Sequence, residues 1–268
     1  MEVLPLNKLL DLTGKTAIVT GAVGIGYAIA YRLAEAGAKV VVASREIGEA
    51  EQSVQKLKAR GWVATPLEVD VASEESVARM VQEAVAVYDQ IDILVNNAGI
   101  YPNKLLTSMT LADFEKVIDV NLKGVFLCTK YVAEQMIKAG RGGRIINVSS
   151  IDAIHPSTVG LAHYDASKHG VWGFTKSIAL ELAPHKIWVN AIAPGGIMTE
   201  GAQKAMAGAQ VPGGIDMQKM MEMFLSKIPM HRMGEPDDIG KVALFLASPM
   251  ADYMTGEQMV VDGGVLLS

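Results

Sequence analysis

The chain has 268 residues, half of them hydrophobic, enough to bury the core of one large α/β domain. Its formal charge is −5, from 24 Lys and Arg against 29 Asp and Glu, with no dense basic run, which excludes nucleic acid as the main partner. A lone cysteine (Cys128), no basic-then-apolar leader and no apolar run near ~18 residues lead to the expectation of a soluble, cytoplasmic protein without a membrane partner.

Residues 1–11 read as an N-terminal extension. Beyond them, short β-branched runs alternate with stretches of helical period. The strand Thr16–Thr20 precedes a helix at Gly26–Ala36, and Lys39–Ala43 precedes one at Gly48–Arg60. Val63–Val69 and Ile91–Asn96 are the third and fourth strands, separated by a helix at Ser73–Tyr88. A long helix at Leu111–Lys138, opened by the capping box Thr110-Leu-Ala-Asp113, leads to the strand Arg144–Ser149. Tyr164–Leu182, Ile187–Ala193, Pro236–Ala247 and Met259–Val261 complete the alternation. Near-continuous hydrophobic strands separated by helices predict a doubly wound α/β fold, a seven-stranded parallel sheet with helices on both faces, in one domain.

One segment departs from that alternation. Gly201–Lys227 carries Met206, Met217, Met220, Met221 and Met223 together with Gly208, Pro212, Gly213 and Gly214. Adaptable packing accounts for such a methionine stripe. Its place after the sixth strand favours a mobile substrate lid over 200–228.

The chemistry-bearing residues cluster at strand ends. Ala17-Ile-Val-Thr-Gly21-Ala-Val-Gly24-Ile-Gly26 ends a strand, turns tightly and opens a helix, whose free N–H groups can receive a pyrophosphate. Tyr164 and Lys168, four apart, share one helix face. A free tyrosine has a pKa of ~10, and a nearby ammonium favours the phenolate, lowering that value towards the working range. Ser149 and Ser150 close the fifth strand, where alternation lets only one face a cofactor.

In order and spacing these motifs resemble the short-chain dehydrogenase/reductase family. Those that carry the resemblance are the glycine loop, Asn96-Asn-Ala-Gly99, Asn121, Ser149-Ser150, Tyr164-Asp-Ala-Ser-Lys168, Pro194-Gly-Gly-Ile-Met-Thr199 and Asp262-Gly-Gly264. It spans Leu12 to Gly264 and implies a Rossmann fold and a nicotinamide-dependent oxidoreductase needing no metal. It further implies that Tyr164 exchanges a proton with the substrate oxygen, Ser150 binds that oxygen, and Lys168 holds the nicotinamide ribose and tunes Tyr164. Asn121 would support a water and proton relay to the lysine. Gly21, Gly24, Ile25 and Gly26 would seat the phosphates, Asp70 and Val71 the adenine, and Asn97, Ala98 and Gly99 the adenosine side. Pro194, Gly195, Ile197 and Thr199 would position the nicotinamide amide. The family usually has three residues between the first two glycines, whereas this chain has only Ala22 and Val23. Its Ser–Tyr spacing is often one residue shorter than here, implying an enlarged Ile151–His163 loop.

An acidic residue after the second strand would bind the adenosine ribose and repel a 2′-phosphate. Ser44 takes that place and Arg45 can pair with a phosphate, so NADP is expected, with NAD as the second option. The polar Tyr101-Pro-Asn103 run and the lid lead to an expected secondary alcohol, polyol or sugar substrate. The alternatives are a 3-oxoacyl-thioester (acyl-carrier) reductase and a non-catalytic NADP(H)-binding sensor or scaffold, though the latter would be expected to lose the tyrosine, lysine or serine. His155 and His163 are expected at the surface, and Cys128 as a buried small hydrophobe. The two long helices are expected to bury a second face in a homo-oligomer, by resemblance a tetramer.

Overall fold

The computed structural model describes residues 3–201, 222, 223 and 225–268, so most of the expected 200–228 lid lies outside the described residues. Seven strands form one parallel sheet: β1 (Thr16–Thr20), β2 (Lys39–Ser44), β3 (Ala64–Glu68), β4 (Ile93–Asn96), β5 (Gly143–Val148), β6 (Ile187–Pro194) and β7 (Gln258–Val261). Their order is β3-β2-β1-β4-β5-β6-β7, every pair parallel. The order reverses between β1 and β4, which opens a crevice beyond their C-terminal ends.

The helices are α1 (Ile25–Glu35), α2 (Ile47–Lys58), α3 (Glu74–Tyr88), α4 (Leu111–Ile118), α5 (Gly124–Ala139), α6 (Ala162–Leu182) and α7 (Pro236–Ala247). Alternate strand residues feed two cores, as pleating requires. Ala17, Val19, Ile93, Val95 and Ile146 pack with Leu33 and Leu246 on one face. Ile18, Leu94, Ile145 and Val189 pack with Met80, Val132 and Met136 on the other. Both faces are therefore dry, which is why these strands read as continuous apolar runs.

The expected helix at Leu111–Lys138 is interrupted. Its capping box is present, Thr110 accepting from Asp113 N–H and Asp113 accepting from Thr110 N–H. Between α4 and α5, however, Asp119–Lys123 forms a π turn that contains Asn121. Such turns insert an extra residue into a helix and redirect a side chain. Among the described residues, no helix is long and apolar enough to cross a membrane.

Candidate active site

The loops after β1, β4, β5 and β6 surround a cleft of about 480 Å³. Gly21, Gly24, Ile25, Asn97, Ala98, Gly99, Pro194, Gly195, Ile197 and Thr199 line it together with Ser150, Tyr164 and Lys168. The structure thus brings most of the expected residues to one place. Ser44 and Arg45 at the end of β2, and Asp70 and Val71 beyond β3, share that edge of the sheet but are not part of the cleft wall.

The glycine loop is as tight as its shortened sequence demands. Gly24 takes φ 56°, in the left-handed region, and caps α1 without any side chain of its own. A Cβ on Gly26 would lie 1.9 Å from the Gly21 carbonyl oxygen, so only glycine fits. Opposite, Thr20 pins the strand-end asparagine: its hydroxyl accepts from Asn97 N–H (3.0 Å) and Ala98 N–H (3.1 Å), while Asn97 Nδ2 donates to Thr20 O (2.8 Å). The outcome is a helix N-terminus without a capping side chain, beside a turn pinned by hydrogen bonds. Those features fit a dinucleotide phosphate group.

Tyr164 and Lys168 sit one turn apart on α6, with the ammonium 5.6 Å from the centre of the phenol ring. Lys168 is only 5 % exposed, and its Nζ donates to Val148 O at 2.7 Å. Burial draws its pKa down to about 8, opposed by the negative Asp152. Burial likewise governs Tyr164: loss of water raises the pKa of its hydroxyl, the Ser150 hydrogen bond lowers it, and the charge of Asp152 raises it again. The Lys168 ammonium, and the positive charge of a bound oxidised nicotinamide, favour the phenolate, and burial opposes them. Desolvation outweighs the ammonium, and the phenol is held in its proton-donating form.

Ser150 is the serine that meets Tyr164, whereas Ser149 turns to donate to Lys168 O at 3.3 Å. Ser150 also caps a short turn, Ile151–Ala153, accepting from Asp152 N–H at 3.1 Å. Its own hydroxyl donates to Asp152 Oδ2 at 2.9 Å. No motif marks Asp152, which sits in the short turn after the fifth strand; the available signal is a charge between Ile151 and Ala153.

One expectation changes, that of His163 at the surface, and the contacts of Asn121 and Asn103 can be placed. Asn121 is fully buried but does not line the cleft. Its Nδ2 donates to Ile100 O (2.8 Å) and Ser167 Oγ (3.1 Å), and its Oδ1 accepts from Ile100 N–H (2.8 Å). Its side chain staples the loop after β4 to α6. His163 is fully buried, not at the surface, because the first turn of α6 points it inward, where Nδ1 accepts from Tyr164 N–H at 3.0 Å. Asn103 lies outside the cleft wall, donating to Val159 O at 2.8 Å, while Tyr101 does line the cleft and meets Tyr164 edge-to-face at 6.1 Å. Cys128 is buried as expected, its thiol pushed up to about 12 by desolvation.

Known proteins are similar to this chain in sequence and fold. The family model described as enoyl-(acyl carrier protein) reductase matches residues 21–266. The 3-oxoacyl-(acyl-carrier-protein) reductase FabG of Aquifex aeolicus is 40% identical over 258 residues, 96% of this chain and 99% of its own. A crystal structure of a short-chain type dehydrogenase/reductase from Mycobacterium marinum superposes with a TM-score of 0.90 at 36% identity, covering 97% of this chain and 99% of that one. A second, from Agrobacterium tumefaciens, is provisionally named 2-deoxy-D-gluconate 3-dehydrogenase and holds NADP; its TM-score is 0.86 at 36% identity, with the same coverage. With near-complete coverage of each, and a parallel sheet carrying the glycine loop, serine, tyrosine and lysine in register, the chain belongs to the short-chain dehydrogenase/reductase family and is an oxidoreductase.

Proposed function

We propose that the protein reduces a ketone to a secondary alcohol with NADPH, or runs the reverse reaction, and that a 3-oxoacyl thioester is its substrate. The observation that carries the chemistry is the convergence of Tyr164, Ser150 and Lys168 in one cleft beside the glycine loop. The thioester reading is supported by the 40% identity with the Aquifex enzyme and outweighs the polyol or sugar expectation. The latter keeps one specific support, the carboxylate of Asp152 in the cleft. A non-catalytic sensor is disfavoured by the retention of all three side chains.

Gly21, Gly24, Ile25 and Gly26 would hold the cofactor phosphates on the α1 N-terminus. Asn97, Ala98 and Gly99 would flank its adenosine side, Asp70 and Val71 its adenine, and Pro194, Gly195, Ile197 and Thr199 its nicotinamide end. When bound, the reduced cofactor supplies hydride to the carbonyl carbon. Tyr164 gives its phenolic proton to the carbonyl oxygen, and Ser150 donates to the same oxygen as negative charge develops. Lys168 would hold the nicotinamide ribose, and it places a positive charge beneath the phenol as it ionises. Asn121 acts as a positioning residue, fixing Ile100 and Ser167 around them.

Acetoacetyl-coenzyme A tests the thioester reading: NADPH oxidation with formation of the 3-hydroxyacyl product is expected, and no product at millimolar substrate would reject it. Cofactor choice rests on Arg45, which is exposed just after β2 and, among the described residues, forms an ion pair with Glu46 at 3.5 Å. That surface pair is weak and free to yield to a phosphate. Arg45→Ala is expected to weaken NADPH binding about tenfold, with a smaller change for NADH. Equal changes, measured by fluorescence titration, would remove the phosphate role.

The α5 and α6 surfaces also fit the expected assembly. Phe126, Ile137 and Leu180 are exposed, and Phe126 meets Phe174 edge-to-face at 6.3 Å. We propose that these faces pair between subunits of a homotetramer; light scattering that finds a monomer at micromolar concentration would refute this.

A further inference from the structure

A buried charge is costly unless donors surround it. Asp152 is 6 % exposed and shares the cleft wall with Ser150 and Tyr164. Among the described residues no ion pair neutralises it. Its donors are neutral: the Ser150 hydroxyl at Oδ2 (2.9 Å) and Ser157 N–H at Oδ1 (2.8 Å). A carboxylate has about four acceptor positions, so capacity remains.

These contacts create a conflict at the reacting centre. Ser150 has a single hydroxyl proton, for which Asp152 Oδ2 and the Tyr164 oxygen already compete. Turning that proton to a substrate oxygen strips the carboxylate of one of its donors. A substrate that carries its own hydroxyl removes the conflict, because that hydroxyl replaces Ser150 on Oδ2 and frees the serine proton.

We propose that the site also takes carbonyl compounds bearing a hydroxyl on the carbon next to the reacting one, with Asp152 accepting that hydroxyl's hydrogen bond as the specificity-determining residue. The inference rests on the oxidoreductase reading of Tyr164, Ser150 and Lys168 and extends it beyond acyl thioesters. The spacing agrees. A substrate oxygen about 2.8 Å from Ser150 Oγ lies no more than about 5.7 Å from Asp152 Oδ2. A hydroxyl on the neighbouring carbon sits about 3 Å from that oxygen and closes the gap with one hydrogen bond of ordinary length. In the reaction the carbonyl carbon gains hydride from NADPH and its oxygen takes the Tyr164 proton. A vicinal diol and NADP leave, and Asp152 takes no part in the proton transfer.

The test uses a matched pair, 2-hydroxycyclohexanone and cyclohexanone, with NADPH. For the unmodified protein kcat/KM should favour the hydroxyketone by at least about tenfold. In Asp152→Asn that ratio should fall about 10- to 100-fold, since the amide can still accept from Ser157 N–H but presents N–H groups where the acceptor stood. A ratio near one in the unmodified protein, or one that Asp152→Asn leaves unchanged, overturns the proposal. Turnover of acetoacetyl-coenzyme A with none of the hydroxyketone overturns it alone; no turnover of any of the three overturns the oxidoreductase reading as well. Calorimetry gives a readout independent of turnover. In a Tyr164→Phe background with NADP bound, adding Asp152→Asn should weaken 2-hydroxycyclohexanone binding about tenfold, and equal affinity contradicts the role.

Discussion

Tyr164→Phe is expected to lower kcat for ketone reduction by about 10³-fold, within the range that general acids supply. Phenylalanine keeps the ring that meets Tyr101 edge-to-face and lies beneath the Lys168 ammonium, so packing survives and only the proton is lost. Its neighbours cannot replace it. Ser150 can donate a hydrogen bond but is too weak an acid to give up its proton, and Lys168 is tied to Val148 O. Stopped-flow NADPH oxidation at saturating substrate gives the rate, and thermal unfolding within a few degrees of the unmodified protein shows that the fold is intact. A loss of less than tenfold would assign the proton to another group.

The second large effect separates catalysis from stability. Lys168→Met is expected to cost at least about 10²-fold in kcat, because the charge beneath the phenol disappears. It also removes a group that burial holds at a pKa of about 8, against about 10.4 in an unfolded chain. Between those values the unfolded chain binds the extra proton, so Lys168 makes the native protein gain stability as pH rises. Below pH 8 the buried ammonium destabilises the fold, and the penalty fades towards pH 10. From pH 7 to pH 10 the unmodified protein should gain about 2–3 kcal/mol in unfolding free energy relative to Lys168→Met. Urea unfolding of both proteins at the two pH values measures the difference. Parallel curves would mean that Lys168 ionises as it does in water.

Much of the architecture is legible in the residues themselves. Two dry sheet faces leave the apolar runs of β1, β2 and β4 no other arrangement, and Thr110 with Asp113 caps α4 as its sequence implies. The glycine loop, Ser150, Tyr164 and Lys168 are legible for a related reason: strand ends and a helical spacing of four fix where such side chains point. What escapes is decided by three-dimensional surroundings. The π turn at Asp119–Lys123 follows no local pattern, and it commits Asn121 to Ile100 and Ser167. His163 and Asp152 sit in or beside irregular chain, where periodicity says nothing about burial. Burial raises the Tyr164 pKa against the lowering expected from its cationic neighbours, and desolvation depends on packing that the sequence does not show. Substrate choice is least legible, since fold and catalytic residues are shared across many substrates.

Isotope transfer tests the shared chemistry of both substrate classes most directly. NADPH carrying deuterium at the transferable position is incubated with the protein and acetoacetyl-coenzyme A or 2-hydroxycyclohexanone, and the product is analysed by mass spectrometry. One deuterium on the new carbinol carbon is expected with the unmodified protein, and product formation about 10³-fold slower with Tyr164→Phe. Product without deuterium, or Tyr164→Phe forming it at an undiminished rate, would contradict proton donation by Tyr164 coupled to hydride transfer in this cleft.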